Sequence, residues 1–166
     1  MCVLHLFDGE FFEIFNRTIN QLIIQEENYI RDLDLVDSVF IKPLRASKPA
    51  VIEPSDKLEA FIDEVFSNVF DIRECNRRLL EILHVRQREQ GPVIQQVGDI
   101  LLEAATEFRK SYPAYVGNYP LAEKRLRHEQ ETNLEFRIFI EVSRPINHPN
   151  ELLSILFSPE TVSLTI

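Results

Sequence analysis

The 166-residue sequence has few cysteines and an excess of acidic over basic residues. Its two cysteines, Cys2 and Cys75, lie far apart, which excludes a disulfide framework and favours a reducing, intracellular setting. No apolar run approaches the roughly 20 residues that cross a membrane, so we expect no direct membrane insertion. The net charge of −9 argues against nucleic acid or an anionic membrane as a partner of the chain as a whole. Glutamates also interrupt the arginine-rich stretch 73–88, which we interpret as a solvated helix face.

Motifs for covalent chemistry are absent as well. The four histidines are scattered, and no CxxC, HExxH, GxxxxGK[ST], GxGxxG or GxSxG pattern occurs. We therefore predict no catalytic residues, no metal site and no cofactor. The function of this chain is to be sought in binding.

What the sequence does contain is helical spacing of its apolar residues over most of the first 144 positions. No stretch shows a strand pattern that could build a sheet. The pattern predicts an all-α fold, an elongated helical bundle. The first helix is expected from about Phe11 to Ile41, a length of about 45 Å, with Pro43 ending it.

Prolines and glycines predict where the following helices begin and end. Ser47–Asp56 is a connector, and the helical stretch after it divides once, near Ser67-Asn68. Gly91-Pro92 stops that stretch.

The second half of the helical region is expected to contain a further break. A helix from Val93 to about Phe108 accepts Gly98 in its interior, where close packing is expected. The region Tyr112–Pro120 is kinked or turn-like, and helix resumes over Leu121–Glu131. Asn133 can cap a last helix, which stops at Pro145.

Glu26 stands out because it lies inside the apolar stripe of the first helix. At about 100° per residue it is roughly 40° from Leu22 and about 20° from Leu33. Three interpretations are open. Glu26 is an edge carboxylate whose head reaches water, the partner of a buried arginine, or the centre of an exposed docking surface.

Several motifs in order resemble the Dbl-homology domain, the module that exchanges guanine nucleotides on Rho-class GTPases. INQLIIQEENYIRDLDLVDSVFIKPLR is similar to its first conserved segment, with Gln25 in place of the usual threonine and Glu26 as the usual glutamate. RQREQGPVIQQVGDILLEAATEF and YPAYVGNYPLAEKRL resemble the second segment and its surroundings, most like the fungal Rho-type exchange factors of cell-wall signalling. NLEFRIFIE fits the helix that follows.

This resemblance implies an exchange factor that acts by binding and without covalent chemistry. Its partner would be a Rho-family small GTPase in the nucleotide-free or GDP form, and its location the cytoplasm, with recruitment to the cell cortex. Glu26 would engage switch I of the GTPase, with Ile23 and Ile30 one turn either side as weaker contact candidates. The alternative is a non-catalytic helical adaptor that binds a GTPase or another helical partner.

The chain departs from the family pattern after Arg144. The family's third conserved segment, a basic helix beside the first, has no match in PINHPNELLSILFSPETVSLTI. We therefore expect an N-terminal extension over 1–10, the amino-terminal part of the domain over 11–144 and a non-matching tail over 145–166. The chain is expected to be truncated on its C-terminal side and inactive. Its uncovered apolar faces are expected to cause self-association, with these side chains pointing into them: Phe15, Leu33, Leu79, Ile82, Leu101 and Phe139.

Overall fold

The computed structural model describes residues 3–91 and 94–143, with side chains from residue 12 onward. In this part of the chain it contains helices and no strand, which confirms the all-α prediction. The tail predicted over 145–166 lies outside the described residues. The helices are α1 (Val3–Leu35), α2 (Lys42–Ala46), α3 (Ser55–Phe66), α4 (Val69–Glu89), α5 (Gly98–Thr132) and α6 (Leu134–Val142).

The first helix is longer at both ends than its sequence predicts. It begins at Val3 and passes through a π-helical turn, Val36–Ile41, directly into α2, so Pro43 does not end it. In an α-helix a proline ring collides with the carbonyl four residues earlier, here that of Val39. Val39 lies in the wide turn, where the Lys42 N–H bonds the carbonyl five residues back. The extra width gives the ring room, and the helix continues.

Helix α5 is also continuous where the sequence predicts a break. Its 35 residues include Pro113 and Pro120, so the turn-like region predicted over Tyr112–Pro120 is helical. A proline inside a helix costs about 3 kcal/mol, which burial of neighbouring side chains such as Tyr112 and Leu126 offsets. Gly98 is the first residue of the helix, and a side chain there would meet nothing within 4 Å. The close packing expected at Gly98 is therefore wrong.

Other boundaries agree with the sequence. The stretch after the connector divides between Phe66 and Val69, where Ser67 has a positive φ of 46°. Helix α4 ends just before Gly91, whose φ is 83°. The Asn133 side chain accepts a hydrogen bond from the Phe136 N–H and caps α6, as predicted.

The buried apolar side chains form two clusters. The larger one joins the end of α1 and the π-helical turn to α3, α6 and the first half of α4, and includes the edge-to-face rings of Phe61 and Phe136, 5.1 Å apart. The smaller one joins Ile19 and Ile23 of α1 to the second half of α4 and the first residues of α5. Helices α1, α4 and α5 contribute to both clusters and hold them together.

Most of the apolar faces expected to be uncovered are covered. Leu33 and Leu79 are buried, and Phe15, Ile82 and Phe139 are partly buried against the clusters. Leu101 remains exposed. These faces are covered because α1, α4, α5 and α6 pack against one another. The predicted self-association stays a prediction. Among the described helices, none is both long and apolar enough to span a bilayer.

Candidate functional site

Glu26 lies near the middle of α1, on the side of the helix that faces α4 and α5. Its side chain is 5% exposed, and those of Ile23 and Ile30 are 6% and 8% exposed. The structure therefore brings the three predicted contact residues together on one face of α1, but that face is buried. The interpretation of Glu26 as the centre of an exposed surface is wrong for this conformation, and so is the interpretation as an edge carboxylate with its head in water.

Three further polar side chains lie beside Glu26, and we call the four together the polar layer: Glu26, Tyr29, Asn76 and Tyr112. Asn76 is almost fully buried, and its Nδ2 donates to Tyr112 Oη at 2.8 Å and to the Ile72 carbonyl at 2.7 Å. The hydroxyls of Tyr29 and Tyr112 share a hydrogen bond. Asn76 and the two tyrosines thus satisfy one another.

On α1 and on α4, the polar layer lies where one apolar cluster gives way to the other. On α1, Ile23 belongs to the smaller cluster and Leu33 to the larger, with Glu26 between them. On α4, Cys75 belongs to the larger cluster and Leu79 to the smaller, with Asn76 between them. The polar layer therefore lies in the contact between α1, α4 and α5, which we call the seam.

Glu26 is the one member of the polar layer with an unsatisfied atom. Its Oε2 is buried and has no hydrogen-bond partner among the described residues. Burial raises the pKa of Glu26 from 4.5 to about 7. Burial likewise raises the pKa of the Cys75 thiol to about 11 and that of Tyr112 to about 12, and the nearby Glu26 charge contributes to both shifts. The seam thus holds one carboxyl group, that of Glu26, whose raised pKa places its change of charge near neutral pH.

The arginines of α4 pair with other acids. Arg73 Nη1 lies 2.9 Å from Asp34 Oδ1, and Arg86 Nη2 lies 2.6 Å from Asp99 Oδ2. Within the described part of the chain, no arginine or lysine pairs with Glu26, so the interpretation of a buried ion pair is wrong too. These arginines tie α4 to its neighbours instead of forming a free basic patch.

The sequence analysis missed Asn76 and Tyr112, the buried polar side chains that α4 and α5 contribute to the polar layer. A signal for Asn76 is present, because it interrupts the apolar face of α4 between Ile72 and Leu79 just as Glu26 interrupts that of α1. Tyr112 could not be found in this way, because it opens the stretch in which the helix was predicted to break.

The arrangement can accept hydrogen bonds but offers no covalent chemistry. In the described residues, no group of three or more histidine, cysteine or acidic side chains converges as a metal site would need. The buried thiol of Cys75 has a raised pKa, so its reactive thiolate is disfavoured. Glu26 offers an unsatisfied carboxylate oxygen. A hydrogen-bond donor from another molecule could bind this oxygen once the donor can reach it.

Comparison with known proteins shows which family model and which relatives the chain matches. Residues 18–160 match the RhoGEF domain, a range that includes Glu26 and continues past Arg144. The chain is similar to Rho1 guanine nucleotide exchange factor 3 of Schizosaccharomyces pombe, with 35% identity over 127 residues, 76% of this chain and 10% of the relative. Rho1 guanine nucleotide exchange factor 2 of the same organism is 32% identical over 127 residues, 76% of this chain and 10% of the relative.

A human protein shows the same similarity at lower identity. Rho guanine nucleotide exchange factor 12 of Homo sapiens is 27% identical over 129 residues, 74% of this chain and 8% of the relative. The chain spans about a tenth of the length of the curated relatives it matches. The domain boundaries predicted at residues 10 and 144 stay predictions.

Proposed function

Because this chain belongs to the RhoGEF domain family, we propose that it binds a Rho-class small GTPase and promotes exchange of the bound guanine nucleotide. Support comes from the family match and from relatives whose names specify Rho1 or Rho. One observation in the structure carries the assignment of Glu26. Its buried carboxylate oxygen has no hydrogen-bond partner in the described part of the chain, and Glu26 stands at the position that resembles the family's GTPase-contacting glutamate.

The mechanism requires binding alone. A GTPase holds its nucleotide through Mg²⁺ and its switch loops. A protein that binds the nucleotide-free form more tightly than the loaded form lowers nucleotide affinity by the same factor. In our proposal Glu26 accepts hydrogen bonds from switch I and holds it away from the nucleotide, and Ile23 and Ile30 add apolar contacts. No proton is transferred and no covalent bond forms.

Burial of this face has a consequence for the rate. With Glu26, Ile23 and Ile30 covered by α4 and α5, a GTPase reaches them only after α1 parts from its neighbours near Glu26. Only the fraction of molecules that is open can bind, and the apparent affinity falls by that fraction. We therefore expect slow exchange by this chain in the conformation described.

The test is nucleotide release from a panel of Rho-class GTPases loaded with a fluorescent GDP analogue. The inactivity predicted from the sequence stays a prediction, and our proposal departs from it. We expect the chain to accelerate release from at least one of these GTPases, and Glu26→Ala to reduce that acceleration at least tenfold. Glu13→Ala is the matched control, because Glu13 lies on the same helix and is exposed. Unfolding curves of both variants are needed beside the assay, since Glu26 is buried. Failure to bind any nucleotide-free Rho-class GTPase would overturn the proposal.

A second candidate function is a helical adaptor without exchange activity. Burial of all three proposed contact residues favours it, because the surface left free belongs to other faces of the helices. The same assay separates the two candidates. Binding of a GTPase that leaves its release rate unchanged, with Glu26→Ala binding equally well, would support the adaptor. For either function we propose the cytoplasm as the location, with recruitment to the cell cortex.

A further inference from the structure

The seam at the polar layer contains a buried carboxylate, that of Glu26. An ionised carboxylate without a partner is costly to bury, whereas its protonated form is far less so. Glu26 is nearly fully buried with one oxygen unsatisfied, and apolar clusters lie on both sides of it. The stability of this contact between α1 and its neighbours therefore depends on the charge of one side chain.

Among the residues that the structure describes, no group that faces Glu26 can compensate that charge. From α1 itself the facing titratable group is Tyr29, from α4 it is Cys75, and from α5 it is Tyr112. All three are neutral at physiological pH, and Asn76 of α4 directs its amide to Tyr112 and Ile72.

The arginines nearest in sequence to Cys75 and Asn76 on α4 pair with other acids. Arg73 and Arg77 pair with Asp34, and Arg78 pairs with Glu74 and Glu107. Among the described residues, no cation is therefore left to pair with an ionised Glu26, and entry of water is the remaining way to solvate its charge.

We propose that the polar layer is a pH-sensitive latch. While Glu26 is neutral, α1 stays closed on α4 and α5. When Glu26 loses its proton, α1 opens at the layer and presents the carboxylate to a partner. The opening involves this chain alone, whereas the binding of a partner to the exposed carboxylate rests on the proposed function.

Cys75 provides a reporter for the opening. Its thiol is buried in the seam, and Cys2→Ser leaves it as the single cysteine. The labelling rate of Cys75 by a maleimide, divided at each pH by the rate in the unfolded chain, measures how often the seam opens. From the shift of Glu26 we expect this normalised rate to rise about tenfold between pH 6 and pH 8.

Two variants give the decisive comparison. Glu26→Gln keeps the shape of the side chain and cannot ionise, so its normalised rate should stay level with pH. Glu13→Gln, exposed on the same helix, should keep the rise. A rise in Glu26→Gln equal to that in the unsubstituted chain would overturn the latch.

Low concentrations of urea separate a local opening from complete unfolding. A local opening exposes little surface, so its labelling rate depends weakly on urea, whereas complete unfolding depends on it steeply. A weak dependence supports the latch. A dependence as steep as that of global unfolding would overturn it.

A last experiment measures the labelling of Cys75 in the presence of an excess of nucleotide-free Rho-class GTPase at pH 7. If the partner enters through the open seam, the labelling of Cys75 should increase in the complex. A complex in which Cys75 is better protected than in the free chain would overturn the latch as a route to Glu26. If no complex forms with any GTPase, the proposed function fails, while the pH profile still decides the latch.

Discussion

The charge of Glu26 should make the stability of the whole fold depend on pH in a way that one substitution removes. The perturbation is Glu26→Gln, studied from pH 5 to pH 8. Glutamine has the size and shape of glutamate but stays neutral, so it imitates the protonated side chain. Any difference between the two proteins that grows with pH then reports the cost of the buried negative charge.

The magnitude follows from the pKa. The folded protein raises the pKa of Glu26 from 4.5 to about 7, so the folded state binds this proton more tightly than the unfolded state. Stability therefore falls as the pH rises from 4.5 through 7, and levels off above that. At about 1.4 kcal/mol per pKa unit the full loss is about 3 kcal/mol. Between pH 5 and pH 8 the unsubstituted chain should lose about 2–3 kcal/mol relative to Glu26→Gln.

The assay is urea unfolding followed by helical circular dichroism at several pH values. Other carboxylates also titrate, such as Asp99, whose pKa is lowered by its hydrogen bond to Arg86, but they do so equally in both proteins. The difference in unfolding free energy between the two proteins isolates Glu26. Glu13→Gln serves as a control and should follow the unsubstituted chain at every pH, because Glu13 is exposed.

A difference between Glu26→Gln and the unsubstituted chain that stays constant from pH 5 to pH 8 would refute this reasoning. It would mean that Glu26 is solvated in the folded protein. A Glu26→Gln protein that is less stable than the unsubstituted chain at pH 8 would be a stronger contradiction, since it would show that the charge itself is stabilised.

Two further predictions concern the helix boundaries. Ser67 has φ 46° and ψ −131°, a conformation suited to glycine, so Ser67→Gly should raise the unfolding free energy by about 1 kcal/mol, whereas Ser111→Gly inside α5 should lower it. Lower stability of Ser67→Gly in urea unfolding would contradict this. Asn133 caps α6 and donates to the Val51 carbonyl and to Glu129 Oε1, both at 2.9 Å, so Asn133→Ala should cost about 2 kcal/mol or more. Asn133→Ser, which keeps a capping oxygen, should cost less, and equal losses in the two variants would show that the cap contributes little.

Much of the fold could be predicted because helical spacing is a local property. The stripe of α1, the break near Ser67 and the cap at Asn133 depend on residues close in sequence. The rules for proline are local as well, and they failed at Pro43 and Pro113. At those two positions, a wide turn and burial of neighbouring side chains offset the local cost.

The candidate site could be predicted only in part for the same reason. Periodicity showed that Glu26 shares a face with apolar residues, but it does not show what covers that face. Tyr112 lies near Glu26 because α5 continues past Phe108, where the helix was predicted to end. The mistaken break in α5 therefore also concealed the burial of Glu26.

The π-helical turn at Val36–Ile41 has a consequence for chain length. Each of its hydrogen bonds spans one residue more than an α-helical bond, so the turn accommodates one residue beyond what the helix path needs. Removing a residue elsewhere in α1 would rotate everything after it by about 100° and move Leu44 away from the core. Removing one within the turn converts it to an α-helical turn and keeps the later side chains on the same faces, but it also brings back the collision of the Pro43 ring with the preceding turn, at a cost of about 3 kcal/mol. A related chain one residue shorter here is therefore expected to lack a proline at the position of Pro43.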